Sequence, residues 1–147
     1  MYEINEDTPQ EELKRADHLV YVSLKYTRTC DIMKNAIHRM ISAFELVMAE
    51  FLEHMRKNKK IPDVPTNVKE RATLARSILG NPLNKYFILY NLLKKIDKAE
   101  YTPREEFRKN VTLITKTKDV MEIKVDNLYD YLEKTKEFVN LIIGHMK

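Results

Sequence analysis

The sequence predicts an all-α protein, an up-and-down bundle of about five helices in one domain that covers residues 1–147. Three observations support this class. The chain has 2 glycines, and it combines 33% charged with 44% hydrophobic residues, a composition typical of helical proteins. Its apolar residues recur at steps of three and four, the spacing that aligns them on one helix face. A chain of 147 residues is also long enough for one domain with a real core.

The longest periodic stretch, from Asp31 to Met55, is predicted to be the central helix. Because its apolar stripe is wide enough to need partners on more than one flank, we expect other helices to pack around it. Phe44 and Phe51 are expected to be among its most buried side chains. The stripe consists of Met33, Ile37, Met40, Ile41, Phe44, Val47, Met48, Phe51, Leu52 and Met55.

The first helix is predicted to begin at Thr8-Pro9, where Thr8 caps the helix and Pro9 takes its first position. No glycine or proline follows until Pro62, so two arrangements fit residues 9–55. One is a single helix of about 50 residues, and the other is a helical hairpin with a turn near 27–31. We favour the turn, because residues 26–31 combine weak helix formers with cap residues, and a single rod would leave both halves without an intramolecular partner.

Cap residues predict two further helices in the middle of the chain. Thr66 or Asn67 starts the first of them, and Gly80 ends it. The second extends from Pro82 to about Lys98.

The segment that follows carries mixed signals. Thr102-Pro103-Arg104-Glu105 repeats the start signature seen at Thr8 and predicts a short helix. Residues 111–115 are mostly β-branched, and apolar and charged residues alternate over 121–125. We therefore predict a small β-hairpin across 111–125, with a continuing helix as the alternative. The last helix is predicted to begin at the cap residue Asp126 and to end at Gly144.

Charge is distributed unevenly along the chain. The net charge is +4, and residues 81–124 carry ten lysines and arginines against six acidic residues. A local basic excess attracts phosphate-bearing partners, so the 94–124 region is a candidate surface for RNA or another polyanion. The alternative is a solvated lysine-rich surface. The candidate binding residues are Arg104, Arg108, Lys109, Lys116 and Lys118.

No pattern in the chain predicts a catalytic, metal or cofactor site. The four histidines form no metal-binding motif, and two glycines cannot build a phosphate loop. Cys30 lies on the buried side of the helical register and is expected to be a core residue, not a nucleophile.

The chain is expected to be cytoplasmic. A single cysteine fits a reducing compartment, no apolar run is long enough for a membrane span, and the acidic, polar residues 1–12 do not resemble a secretory signal.

The order of elements resembles the HEPN superfamily of compact helical domains. The resemblance lies in a helical hairpin, a central helix with the face AIHRMISAFELVMAEFLE, and a last helix with NLYDYLEKTKEFVNLI. It implies a bundle that dimerises and, in many members, cleaves RNA through an Arg-x4-6-His motif. No arginine here has a histidine at that spacing, and the first histidine after Arg108 is His145. The resemblance therefore implies binding through Arg104, Arg108 and Lys109 without the histidine that would transfer protons.

Three hypotheses for function follow. The first is a non-catalytic, HEPN-like binding protein that contacts RNA, another polyanion or a protein partner. The second is a divergent HEPN-type ribonuclease or nucleotide-handling enzyme, and the third is a plain protein–protein interaction module. The wide central stripe, together with an apolar edge at Val20, Val22 and Leu24, also predicts a homodimer.

Overall fold

The computed structural model describes residues 7–147, so the acidic residues 1–6 lie outside the described part of the chain. The described structure is 69% helical, with five helices and a small three-stranded antiparallel sheet. The predicted helical bundle with a small β element is therefore confirmed.

The first helix, α1, has three consecutive parts. An α-helical part, Pro9–His18, continues into a π-helical segment, Leu19–Ser23, and ends in one α-helical turn, Leu24–Tyr26. As predicted, Thr8 caps the helix by accepting a hydrogen bond from the Glu11 backbone N–H at 3.1 Å. Extended backbone at Thr27 and Thr29 separates α1 from the next helix, so the hairpin is confirmed and the single long helix is excluded.

Helix α2, Cys30–Lys57, is the predicted central helix and contacts each of the other four helices. Phe44 is fully buried and Phe51 is 4% exposed, as expected. The buried carboxylate of Glu12 accepts hydrogen bonds from Arg39 Nη1 at 3.2 and 3.3 Å, and this contact joins α1 to α2.

Helix α3, Val68–Leu79, is capped by Asn67 and ends at Gly80, whose φ of 75° is the left-handed geometry that favours glycine. A 3₁₀ turn, Asn81–Leu83, leads into α4, Asn84–Lys98. These two helices follow the predicted boundaries closely.

The strands are β1, Tyr101–Arg104; β2, Thr112–Thr115; and β3, Glu122–Lys124, paired in the order β1-β2-β3. The predicted hairpin across 111–125 is confirmed as β2 and β3. The helix predicted to start at Thr102 is wrong, because this segment forms β1. Pro103 lies opposite Leu113 in an edge strand, where proline's missing N–H is tolerated.

The last helix, α5, spans Val125–His145 and begins one residue before the predicted cap. Its N-cap is Lys124, the last residue of β3, and the Asn127 side chain accepts a hydrogen bond from the Lys124 N–H at 2.8 Å. Asp126 therefore lies in the first turn instead of capping it. Gly144 is inside the helix, which ends one residue later than predicted.

The fold covers most of the apolar edge on which the homodimer prediction rests. Val20 and Leu24 are 1% and 2% exposed, and Val22 is 39% exposed. The interior of the bundle thus takes up two of the three residues, and dimerisation remains a prediction.

Candidate functional site

A cleft of about 460 Å³ lies where three distant parts of the chain meet. One wall is the second half of α1 with the turn after it, the second wall is the loop 105–111 between β1 and β2, and the third is the start of α5. Residues from all three walls carry positive charge toward the same space.

Four cationic residues line this cleft: Lys25 and Arg28 from the first wall, Lys109 from the loop, and Lys124 before α5. Asp126 is the acidic residue among the described lining residues. None of the four cations forms an ion pair within 4.0 Å with a carboxylate of residues 7–147. The cleft therefore carries a positive field with little internal neutralisation, which raises the local concentration of anions.

The first wall contains the π-helical segment of α1. The Leu24 N–H donates to the Leu19 carbonyl, the wider hydrogen bond of a π-helix, a geometry often found at functional sites. Arg28 Nε donates to the Leu24 carbonyl at 3.3 Å, which holds the guanidinium at the end of this wall. Tyr21 and Lys25, one turn apart, both line the cleft.

The loop 105–111 is fastened to the turn after α1 by two hydrogen bonds. The Phe107 N–H donates to the Arg28 carbonyl at 2.6 Å, and the Glu106 carboxylate accepts from the Cys30 N–H at 2.8 Å. Glu105 and Phe107 have φ values of 54° and 67°, a strained region for residues with a side chain. The two bonds hold this strained shape and so place Lys109 beside the first wall.

A pair of stacked tyrosines forms another part of the lining. The Tyr21 and Tyr129 rings are 5.0 Å apart with an interplanar angle of 26°. The Tyr21 hydroxyl donates to Glu133 Oε2 at 3.2 Å. Burial and the neighbouring Glu133 carboxylate raise the pKa of Tyr21, so the hydroxyl stays neutral and adds no negative charge to the cleft.

The structure separates the five binding residues predicted from the sequence. Lys109 lines the cleft, and Arg108 is next to it in the same loop. Arg104 lies on β1 and forms an ion pair with Glu122, Nη2 to Oε1, at 2.6 Å. Lys116 and Lys118 are in the β2–β3 turn, which the strand register places at the opposite end of the sheet from the loop 105–111.

Sequence reasoning does not assign Lys25 or Arg28 to a site, and it includes Lys124 only as the last residue of the basic 94–124 region. The count of basic residues over 81–124 does not show that some are neutralised, as Arg104 is by Glu122 and Lys95 is by Asp119 at 3.9 Å. The local signal for Lys25 and Arg28 is Lys25-Tyr26-Thr27-Arg28, in which cations flank an aromatic residue at a predicted turn.

Cys30 and two of the four histidines form contacts with other side chains or with the backbone. Cys30 is buried, its Sγ lies 3.4 Å from the Thr112 carbonyl, and burial raises the pKa of the thiol to about 11. The expectation of a core cysteine is confirmed. His38 Nδ1 lies 3.7 Å from Asp97 Oδ2, and His54 Nε2 lies 3.0 Å from Asn58 Nδ2. Within residues 7–147 no group of three or more His, Cys, Asp or Glu side chains is arranged to hold a metal ion.

Comparison with known proteins identifies no relative: the chain matches no protein-family model, no curated protein and no solved structure. None of the helices in residues 7–147 is both long enough and apolar enough to cross a membrane. The cleft itself therefore supplies the argument for function.

Proposed function

We propose that this protein binds RNA through the cleft lined by Lys25, Arg28, Lys109 and Lys124, and that it does so without cleaving the RNA. The convergence of four cations without carboxylate partners among the described residues carries the proposal. A phosphodiester backbone supplies the repeated negative charge that such a cluster attracts, and counterion release provides the free energy of binding.

The proposed binding surface shares only part of its residues with the surface predicted from the sequence. Lys109 remains in the proposed binding surface together with Lys25, Arg28 and Lys124, and Arg108 is next to Lys109 in the loop without lining the cleft. The sequence-based prediction that Arg104, Lys116 and Lys118 also bind is the alternative to this proposal, and the experiment below tests it for Lys116 and Lys118. We expect Arg104 to contribute less to RNA affinity than an unpaired cation, because it forms an ion pair with Glu122.

Salt dependence measures how many of these cations contact phosphate. For a single strand the slope of log K against log salt is about −0.7 per phosphate neutralised, so four contacts give about −3. Replacing two of the four removes roughly 1 to 2 from the magnitude of that slope.

The experiment compares two double variants in fluorescence anisotropy with a labelled RNA oligonucleotide. Lys25→Ala with Arg28→Ala is expected to weaken binding and flatten the salt slope. Lys116→Ala with Lys118→Ala removes the same charge from the opposite end of the sheet and is expected to leave the slope unchanged. The reverse result would move the site to the β2–β3 turn, and absence of RNA binding by the natural sequence at low salt would leave the interaction module as the surviving hypothesis.

The absence of cleavage is a separate part of the proposal. Proton transfer near neutral pH is best served by histidine, and none of the four histidines lies among the described residues that line the cleft. We expect RNA to remain intact after incubation with the protein in the presence of a chelator. Cleavage that disappears when His38 or His145 is replaced would instead favour the divergent ribonuclease.

The HEPN resemblance enters this proposal as the reason to use RNA as the first probe. We further infer a cytoplasmic location, because a single, buried, free cysteine is typical of a reducing compartment, and the cytoplasm is a reducing compartment that contains RNA.

A further inference from the structure

The exposed aromatic side chains of the described residues all belong to the two segments that form the first and second walls of the cleft, the second half of α1 and the loop 105–111. Three qualify: Tyr26 is 81% exposed, Phe107 is 74% exposed and Tyr21 is 42% exposed. Tyr21 lines the cleft and stacks on Tyr129. Tyr26 and Phe107 are the two most exposed large hydrophobic side chains in residues 7–147.

Tyr26 and Phe107 belong to the segments that form two different walls of the cleft. Tyr26 directly follows Lys25, so their Cα atoms are about 3.8 Å apart. Phe107 lies two positions before Lys109, and its N–H bond to the Arg28 carbonyl fixes it against the turn after α1. Both residues therefore lie within two chain positions of a cation that lines the cleft, while their own side chains are outside the cleft lining.

Neither ring has an aromatic or cationic partner among the described residues, in contrast to Tyr21 and Tyr129. The Phe107 backbone is also in the left-handed region, a conformation that the Arg28 and Cys30 hydrogen bonds maintain. The protein thus keeps two exposed aromatic rings, without aromatic or cationic partners among the described residues, on the segments that carry the unpaired cations.

We propose that Tyr26 and Phe107 are stacking platforms for unpaired bases, so that the cleft selects single-stranded RNA over duplex RNA. This inference rests on the proposed function and deepens it. Cations track the phosphate backbone while aromatic rings accept bases, the combination by which proteins hold single strands. In a duplex the base faces are covered by their neighbours, so the same rings have nothing to stack on.

The test measures two ligands with two kinds of variant. Tyr26→Ala and Phe107→Ala are each expected to weaken binding of a mixed-sequence single-stranded oligoribonucleotide by about 5-fold or more, the loss of one stacked base. Binding of a duplex of the same length and the salt slope for the single strand are expected to stay unchanged. Tyr26→Phe and Phe107→Tyr keep an aromatic ring and are expected to restore the affinity.

Ile88→Ala serves as a matched control, because Ile88 is 57% exposed on α4 and does not line the cleft. It is expected to bind both ligands like the natural sequence. Thermal unfolding of every variant checks that the fold is intact.

The outcomes separate this inference from the proposed function. If the natural protein binds RNA with a slope near −3 but the two alanine variants bind the single strand equally well, the stacking inference fails and the proposed function stands. Equal losses for single strand and duplex, or competition by heparin as strong as that by single-stranded RNA, also contradict stacking. If the natural protein binds no RNA, both proposals fail.

Discussion

Replacing Phe44 by alanine is expected to produce one of the largest losses of stability of any single substitution in this protein. Phe44 lies in the middle of α2 with 0% exposure. Its ring centroid is 4.8 Å from that of Phe138 on α5 and 5.5 Å from that of Tyr90 on α4. One side chain therefore connects three helices through their common core.

The magnitude follows from burial and from the aromatic pairs. Truncating a fully buried phenylalanine to alanine removes its transfer free energy and leaves a cavity, which together amount to about 3–5 kcal/mol. Because the substitution also removes the ring that pairs with Phe138 and Tyr90, we expect Phe44→Ala to fall in the upper half of that range. Domains are commonly stable by about 5–15 kcal/mol, so the melting temperature should fall by roughly 10 °C or more.

Urea unfolding followed by circular dichroism measures the free energy of unfolding directly. Phe107→Ala is the matched control, since the same atoms are removed from a side chain that is 74% exposed, and we expect a change within about 0.5 kcal/mol. A double-mutant cycle of Phe44→Leu with Phe138→Leu should give a coupling of about 0.5–1.5 kcal/mol. A loss below about 1 kcal/mol for Phe44→Ala would show that the assignment of the central core is wrong.

Two further predictions concern other parts of the fold. Because burial raises the pKa of Cys30 to about 11, its thiolate fraction at pH 8 should be about 100-fold below that of an ordinary thiol, so alkylation followed by mass spectrometry should be slow in the folded protein and fast in urea. Because the folded state keeps the thiol protonated, the free energy of unfolding should fall as the pH rises from about 9 toward 11. Rapid alkylation of the folded protein at pH 8 would contradict the raised pKa of Cys30. We also propose a homodimer through the exposed edge at Val22, to be tested by sedimentation at tens of micromolar, with Val22→Asp expected to give monomers and Ile88→Asp expected not to. A monomeric natural sequence would overturn that proposal.

Local chemistry is the part of this fold that the sequence could predict. Thr8 and Asn67 cap their helices because a side-chain oxygen reaches a backbone N–H two or three residues away, at 3.1 Å for Thr8 and 2.8 Å for Asn67. The stripe on α2 is equally local, because helical spacing alone puts its apolar residues on one face. Such features need no knowledge of the rest of the chain.

The error at Thr102-Pro103 has a long-range cause. The same residue pair starts a helix at Thr8-Pro9, and in both places the local signal for a helix start is the same. At Thr102 the backbone instead pairs with β2, and that pairing depends on where β2 lies in the folded protein. Local propensity alone could not distinguish the two positions.

The candidate site is only partly predictable for the same reason. Lys109 can be identified because it belongs to the basic 94–124 region, while Lys25 and Arg28 are two cations far from that region in the chain. They join Lys109 and Lys124 only when α1 packs beside the loop 105–111. The sequence contains the charges but not their proximity.

The fastening of loop 105–111 to residues 28–30 has a consequence for folding. The bond between the Cys30 N–H and Glu106 joins positions separated by 76 residues, so it closes a long stretch of chain and depends on contacts that form slowly. The cleft therefore forms only when the first turn of α2 contacts the loop 105–111, which is far from it in the sequence. A ligand that binds there recognises the finished fold and not its intermediates, and it stabilises that fold by an amount that grows with its concentration relative to its dissociation constant.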